Sequence, residues 1–359
     1  MIKLRNIYKF LAIFNSTYVQ NLQISLVSFV RKRFCTSEFH KIHRTFSLYK
    51  PNPFLGYKFE PIHRDLRLSH TKILALTILG WLGFEETDKE KESELIMTLK
   101  RAVLSEQREE YNKAEQLLHV ALRLAQQQQN EQGVLYCYDL MANLAFKQLQ
   151  LEKSEKLFVS VMQILLSKGI SQDDLKVIHI SLKLARICHL KAEEDRAELG
   201  YKWCLEKIEK QKDVDSESRT LYGVIQDWYA QFLLDRGDVK TSLVHLREAY
   251  NTCCDLRGKK DVQSMLLLND LGITTWRAGD LENAVNFLRQ AIDIGKTMED
   301  QSYVGIFLAN LGLIYLQKGM FDTAKKYCKD AFNLGRKFNN TESIEQANYC
   351  FEQIDLNVN

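Results

Sequence analysis

Between Ile62 and Asn359 the sequence contains no proline; its three prolines are Pro51, Pro53 and Pro61. Proline breaks helix interiors and punctuates loops, so a stretch of that length without it favours an all-helical body. Acidic residues are missing from the first 37 positions, which hold Lys3, Arg5, Lys9, Arg31, Lys32 and Arg33. The eight cysteines form no CxxC pair and no Cys/His cluster at zinc spacing, which excludes the common structural zinc sites and leaves free thiols in a reducing compartment as the expectation. No Gly-rich phosphate loop, HExxH, GxSxG or Cys/His nucleophile signature occurs, so the chain is read as a non-enzyme with no metal and no cofactor.

What is present is divided by charge. Residues 1–84 carry 13 Lys/Arg against 3 Asp/Glu, a net of +10, and residues 85–359 a net of −7, within an overall +3. An acidic body argues against nucleic acid as a partner, because phosphate binding needs net positive surface. The acid-free, basic and hydroxyl-rich leader, residues 1–37, has the profile of a mitochondrial transit peptide. Its apolar stretches are broken by Asn6, Lys9, Asn15, Asn21 and Gln23, which weakens a secretory reading. Residues 38–72 read as a linker, and its histidines His40, His43, His63 and His70 show no ligand spacing. The uncharged run Ile73 to Phe84 would rise only about 18 Å as a helix, against about 30 Å of hydrocarbon. It fits either a membrane anchor or a buried or interfacial helix.

The body repeats itself. "DLGITTWRAGDLENAVNFLRQA" begins at Asp270 and "NLGLIYLQKGMFDTAKKYCKDA" at Asn310. Aligning the small residue of each first helix gives Ala102, Ala142, Ala185, Ala230, Gly272 and Gly312, at spacings of 40, 43, 45, 42 and 40. Twelve residues on come Ala114, Ser154, Ala197, Ser242, Ala284 and Ala324; four further the bulkier Leu118, Phe158, Tyr201, Leu246, Leu288 and Cys328; and three beyond that Ala121, Val161, Cys204, Ala249, Ala291 and Ala331. Small residues let two helices approach, and the bulky one fills the gap between layers. Gly237, Gly279 and Gly319 supply the turn, where a left-handed conformation is easy. One such hairpin cannot bury its apolar face alone, so neighbours stack.

The pattern resembles the tetratricopeptide repeat. It predicts an all-α, right-handed superhelical solenoid of about six helical hairpins over residues 91–338, then a capping helix over 341–356 with Thr341 as its N-cap. On that template the first helix of each hairpin lines a groove. Its candidate partner-binding residues are Asp139, Asn143, Lys147, Arg186, His189, Asp227, Gln231, Asn269 and Arg277, set against the reading that they are a solvated polar face. His179 and His189 lie ten apart on one predicted helix and could share a face; His119 and His245 fall in second helices as surface or partly buried residues. The clamp for a chaperone's acidic tail needs Lys and Asn on the first helix, where Leu99 and Val103 stand.

"YDLMANLAF" (Tyr138 to Phe146), "LEKSEKLF" (Leu151 to Phe158) and "ISLKLA" (Ile180 to Ala185) resemble the mitochondrial tetratricopeptide repeat protein 19 family, as does the order of leader, apolar segment, acidic stretch and repeats. The resemblance implies residence at the mitochondrial inner membrane and a scaffold role in assembly and upkeep of respiratory complex III, with its core subunits and the Rieske iron–sulfur subunit or its fragments as partners. The alternative is a mitochondrial import or chaperone adaptor with a peptide-binding groove.

Overall fold

The computed structural model describes residues 93–358. The leader (1–37), the linker (38–72) and the apolar segment (73–84) lie outside the described residues.

Thirteen helices and no strand occur among the described residues. The first helices of the six hairpins are α1 (Glu94–Gln107), α3 (Glu131–Lys147), α5 (Leu175–Leu190), α7 (Ser216–Asp235), α9 (Val262–Arg277) and α11 (Val304–Gln317). The second helices are α2 (Tyr111–Gln127), α4 (Leu151–Ser167), α6 (Glu194–Glu209), α8 (Val239–Arg257), α10 (Leu281–Lys296) and α12 (Phe321–Lys337). α13 (Thr341–Val358) follows them. The chain divides into two compact units, the first ending at Trp203 and the second beginning at Cys204.

Every position of the repeat register, from Ala102 to Ala331, is buried. The small residues work at contact distance. A Cβ added to Gly272 would sit 2.7 Å from Leu288 Cγ, the bulky residue of the same hairpin. Where the second small residue is serine, its hydroxyl bonds back across the hairpin: Ser154 Oγ donates to the Ala142 carbonyl at 3.0 Å and Ser242 Oγ to that of Ala230 at 2.7 Å. Side-chain caps start eight of the described helices, for example Asp215 Oδ1 accepting from Ser218 N at 2.7 Å and Asp238 Oδ1 from Thr241 N at 3.1 Å.

All six hairpins turn at one register position, seven residues after the first small residue, and there the backbone is left-handed. Gly237, Gly279 and Gly319 have φ of 84°, 90° and 73°, but Glu109, Leu149 and Ala192 hold the same conformation at 62°, 56° and 56°. The residue after each turn donates back to the carbonyl five positions earlier, as Gln150 N does to Ala145 at 2.9 Å. Left-handed backbone strains a residue with a Cβ by on the order of 1–3 kcal/mol, while glycine loosens the unfolded chain by about 0.4–1 kcal/mol. Leu149 is exposed and loses little packing. Leu149→Gly should therefore stabilise by about 0.5–1 kcal/mol, read as a rise in urea midpoint; an unchanged or lowered midpoint would show the turn is unstrained.

Two expectations are corrected. The N-cap of α13 is Asn340, whose Oδ1 accepts from Ser343 N at 2.9 Å; Thr341 is the first helical residue. Cys328 and Cys350 are joined as a disulfide, with Cα atoms 5.9 Å apart, rather than lying free. The repeat register drives Cys328 into the core against α13, where Cys350 is equally buried. Among the described residues Cys137, Cys188, Cys253 and Cys254 are free thiols.

Candidate functional site

The first helices carry the polar side chains that the repeat pattern singles out. In the first unit, Asp139, Asn143 and Lys147 follow one another at four-residue spacing on α3, so they share a face. Asn143 Nδ2 donates to the Asp139 backbone carbonyl at 2.8 Å and to Asp139 Oδ2 at 3.0 Å. Its Oδ1 accepts from Lys183 Nζ on α5, forty residues on. That ammonium also lies 5.2 Å from the centre of the Phe158 ring. Lys147 Nζ is 3.5 Å from Glu106 on α1 and 5.4 Å from the Tyr111 ring centre. Three successive first helices are thus joined by one polar seam.

Burial governs its electrostatics. It pushes the Asp139 carboxyl above the usual carboxylate range, with the Lys183 cation and the Asn143 amide offsetting only part of the shift. It pulls the Lys183 ammonium below the usual range, against the opposing charges of Asp139 and Glu106. The Tyr136 phenol is raised by burial and then by Asp139. Its hydroxyl is buried without a hydrogen-bond partner.

On α5 the structure brings Arg186 and His189 together: Arg186 Nη1 is 3.0 Å from His189 Nδ1, and the His189 ring meets Tyr201 edge-on at 6.3 Å. Arg186 is buried and His189 half-buried. Nearby, Lys191 and Arg196 both pair with Glu155, at 2.8 and 2.9 Å. Burial alone would lower the Lys191 ammonium, but Glu155 and Glu193 outweigh it and hold it above its usual value. Burial raises the thiols of Cys137 and Cys188 to about 12, so both are neutral at physiological pH. Among the described residues no cluster of His, Cys, Asp and Glu could hold a metal ion.

In the second unit Asp227 and Gln231 are joined on α7, Gln231 Nε2 donating to Asp227 Oδ1 at 3.1 Å. Asn269 on α9 is fully buried and accepts from Asn310 Nδ2 of α11 at 3.0 Å. It is an interhelical strut, and its amide does not face solvent. Arg277 stands half-buried in the last turn of α9. Beside it Trp276 Nε1 donates to Gln317 Oε1 of α11. His245 on α8 meets Gln226 Oε1 at 2.5 Å through Nδ1, and burial lowers its pKa, with Asp238 opposing.

Reading each first helix by itself misses Lys183, Gln226, Asn310 and Gln317. The signal for three of them was available in the spacing. Asn143–Lys183, Asn269–Asn310 and Trp276–Gln317 are 40, 41 and 41 residues apart, one repeat length. A polar side chain on one first helix finds its partner at a similar height on the next.

Residues 221–297 and 307–337 match models of the tetratricopeptide repeat, and residues 84–148 match the model of anaphase-promoting complex subunit 5. The chain is 35% identical over 289 residues to the mitochondrial tetratricopeptide repeat protein 19 homolog of Drosophila melanogaster, covering 79% of this chain and 78% of that one. It is 34% identical over 260 residues to the human mitochondrial tetratricopeptide repeat protein 19, covering 69% and 68%. Among solved structures, BtubC from P. vanneervenii superposes with a TM-score of 0.52 at 17% identity, over 69% of this chain and 94% of that one, a likeness of fold alone.

Proposed function

Because the chain belongs to the mitochondrial tetratricopeptide repeat protein 19 family, we propose that it is a non-enzymatic scaffold supporting assembly and maintenance of respiratory complex III at the step involving the Rieske iron–sulfur subunit. Its repeat architecture is one that binds other proteins. The observation that carries the reading is the extent of the likeness, 79% of this chain against a family member, far more than one hairpin could supply.

In this reading residues 1–37 direct import, residues 73–84 anchor the protein at the inner membrane, and the repeats of residues 91–338, capped by 341–356, present the partner surface. No described helix is long and apolar enough to cross a membrane. The solvent-reaching part of the partner surface is Asp139, Asn143, Lys147 and His189 in the first unit, and Gln231 and Arg277 in the second. Their amides and charges suit hydrogen bonding to an extended polypeptide. Arg186, Asp227 and Asn269 are buried and hold their neighbours in place.

The test is quantitative co-purification of the tagged full chain from mitochondria. Complex III core subunits and the Rieske subunit, or its fragments, should be the most enriched proteins. Enrichment of heat-shock and import proteins without complex III would replace this reading with the adaptor function.

A further inference from the structure

The last second helix differs from the others on its outer side. α12 buries Ala324, Cys328, Ala331 and Gly335. On its exposed flank, about a quarter-turn around the helix from those residues, Phe321, Lys325, Lys329, Phe332 and Arg336 follow at intervals of four, four, three and four residues, a row about 22 Å long. Lys325, Lys329 and Arg336 are exposed, Phe332 is half-buried, and Lys326 and Lys337 flank the line. Phe321 and the preceding Met320 are 39% and 45% exposed, an apolar end to a cationic stripe.

The helix holds five basic residues and two acidic ones within a body of net negative charge. Among the described residues Lys325, Lys326 and Lys329 have neither an ion pair nor a hydrogen bond, whereas Lys147, Lys153, Lys191 and Lys318 are all paired. Arg336 lies 5.9 Å from the Phe332 ring centre and Lys337 5.2 Å from that of Phe338, so aromatic faces support the cations. The outer side of α10 lacks this bias: its exposed Glu282, Arg289, Asp293 and Lys296 alternate in sign.

We propose that the outer face of α12 docks on an anionic membrane leaflet, its lysines and arginine on lipid phosphates and Met320 and Phe321 at the acyl boundary. Three features favour a bilayer over an acidic protein. The cations of the stripe are exposed and lie in one row along a helix flank, so they can meet a plane together. Its lysine ammoniums are held by no neighbour and can follow a fluid array of phosphates. Exposed aromatic and thioether side chains share the line with the cations, the composition of interfacial helices. This inference does not rest on the complex III reading, and its test contains no complex III.

The test places an environment-sensitive fluorophore at Asn333→Cys, an exposed position beside the stripe, in the full chain carrying Cys35→Ser and Cys254→Ser. Vesicles of phosphatidylcholine, with or without phosphatidylglycerol, are then titrated in. A blue shift should appear with the anionic vesicles alone and fade as salt rises. Each basic residue near an anionic leaflet is worth about fivefold in partitioning. Lys325→Gln/Lys329→Gln/Arg336→Gln should thus weaken the response by on the order of a hundredfold, with an unchanged melting temperature. A silent probe, as when the basic first 84 residues alone bind the vesicles, would overturn the proposal, and so would an equal response in the triple variant. A response to soluble polyglutamate but not to vesicles would overturn it in favour of an acidic protein.

Discussion

Lys183→Met should destabilise the first unit by about 3 kcal/mol, the low end of what breaking a buried charge pair costs. Lys183 and Asp139 are not in direct contact; the Asn143 amide stands between them, accepting from one and donating to the other. Methionine keeps most of the stem packing over Phe158 but removes the cation. Asp139 then stays as a half-buried carboxylate with only the Asn143 amide facing it, which is why the loss stays at the low end of the range. Asp139→Asn in the same chain removes the stranded charge, so the double variant should regain most of the stability. A double-mutant cycle isolates this coupling.

The pH dependence identifies the group. The folded-state pKa of Asp139 lies above its ordinary 3.8. Its contribution is therefore fully present below 3.8 and lost as pH rises through the folded value. Removing Lys183 moves that folded value further up. The deficit of Lys183→Met should be small below 3.8, where Asp139 is protonated folded or unfolded, and should widen toward neutral pH. Urea unfolding from acid to neutral pH, read by hydrogen exchange in α3 and α5, checks this. A deficit constant across that range would mean that packing, not the stranded charge, sets the loss.

The same seam shows what the sequence could and could not convey. Residue size is legible: small and bulky side chains at fixed offsets from Ala102 to Ala331 all lie in the core, because close helix approach leaves no other place for them. Glycine announces a left-handed turn at Gly237, Gly279 and Gly319. Glu109, Leu149 and Ala192 hide the same turn, because no side chain but glycine's absence of one signals it. Polarity is the poorest guide. Asn269 looks like a surface amide until the next repeat supplies Asn310, and only the superposed register brings the two together. Cys328 and Cys350, 22 residues apart, meet for a related reason, since the turn between α12 and α13 sets their relative height. The α13 cap misplaces by one residue because Asn340 and Thr341 can both cap a helix, and only the geometry of the turn decides between them.

The docking of α13 gives the second large effect. Gly305 opens α11 under the first turn of α13. A Cβ there would lie 1.9 Å from Ser343 Oγ, 3.0 Å from Ser343 Cβ and 3.2 Å from the Ala331 carbonyl oxygen. None of these can yield cheaply. Ser343 Oγ donates to that same Ala331 carbonyl at 3.1 Å, and Ser343 itself is fully buried. Gly305→Ala must therefore push α13 outward, uncovering Ala347, Cys350 and Ile354, which are buried in the native chain. Overpacking costs about 1–3 kcal/mol, and the broken buried hydrogen bond adds about 1–3 kcal/mol. A loss of about 3 kcal/mol is expected, with hydrogen exchange accelerating first in α13. Adding Ser343→Ala removes the 1.9 Å conflict and leaves the tight contacts with the residue 343 Cβ at 3.0 Å and the Ala331 carbonyl oxygen at 3.2 Å. The double variant should then recover part of the loss, although Ser343→Ala alone destabilises. If the two losses simply add, Gly305 and Ser343 do not meet, and α13 must reach α11 through other contacts.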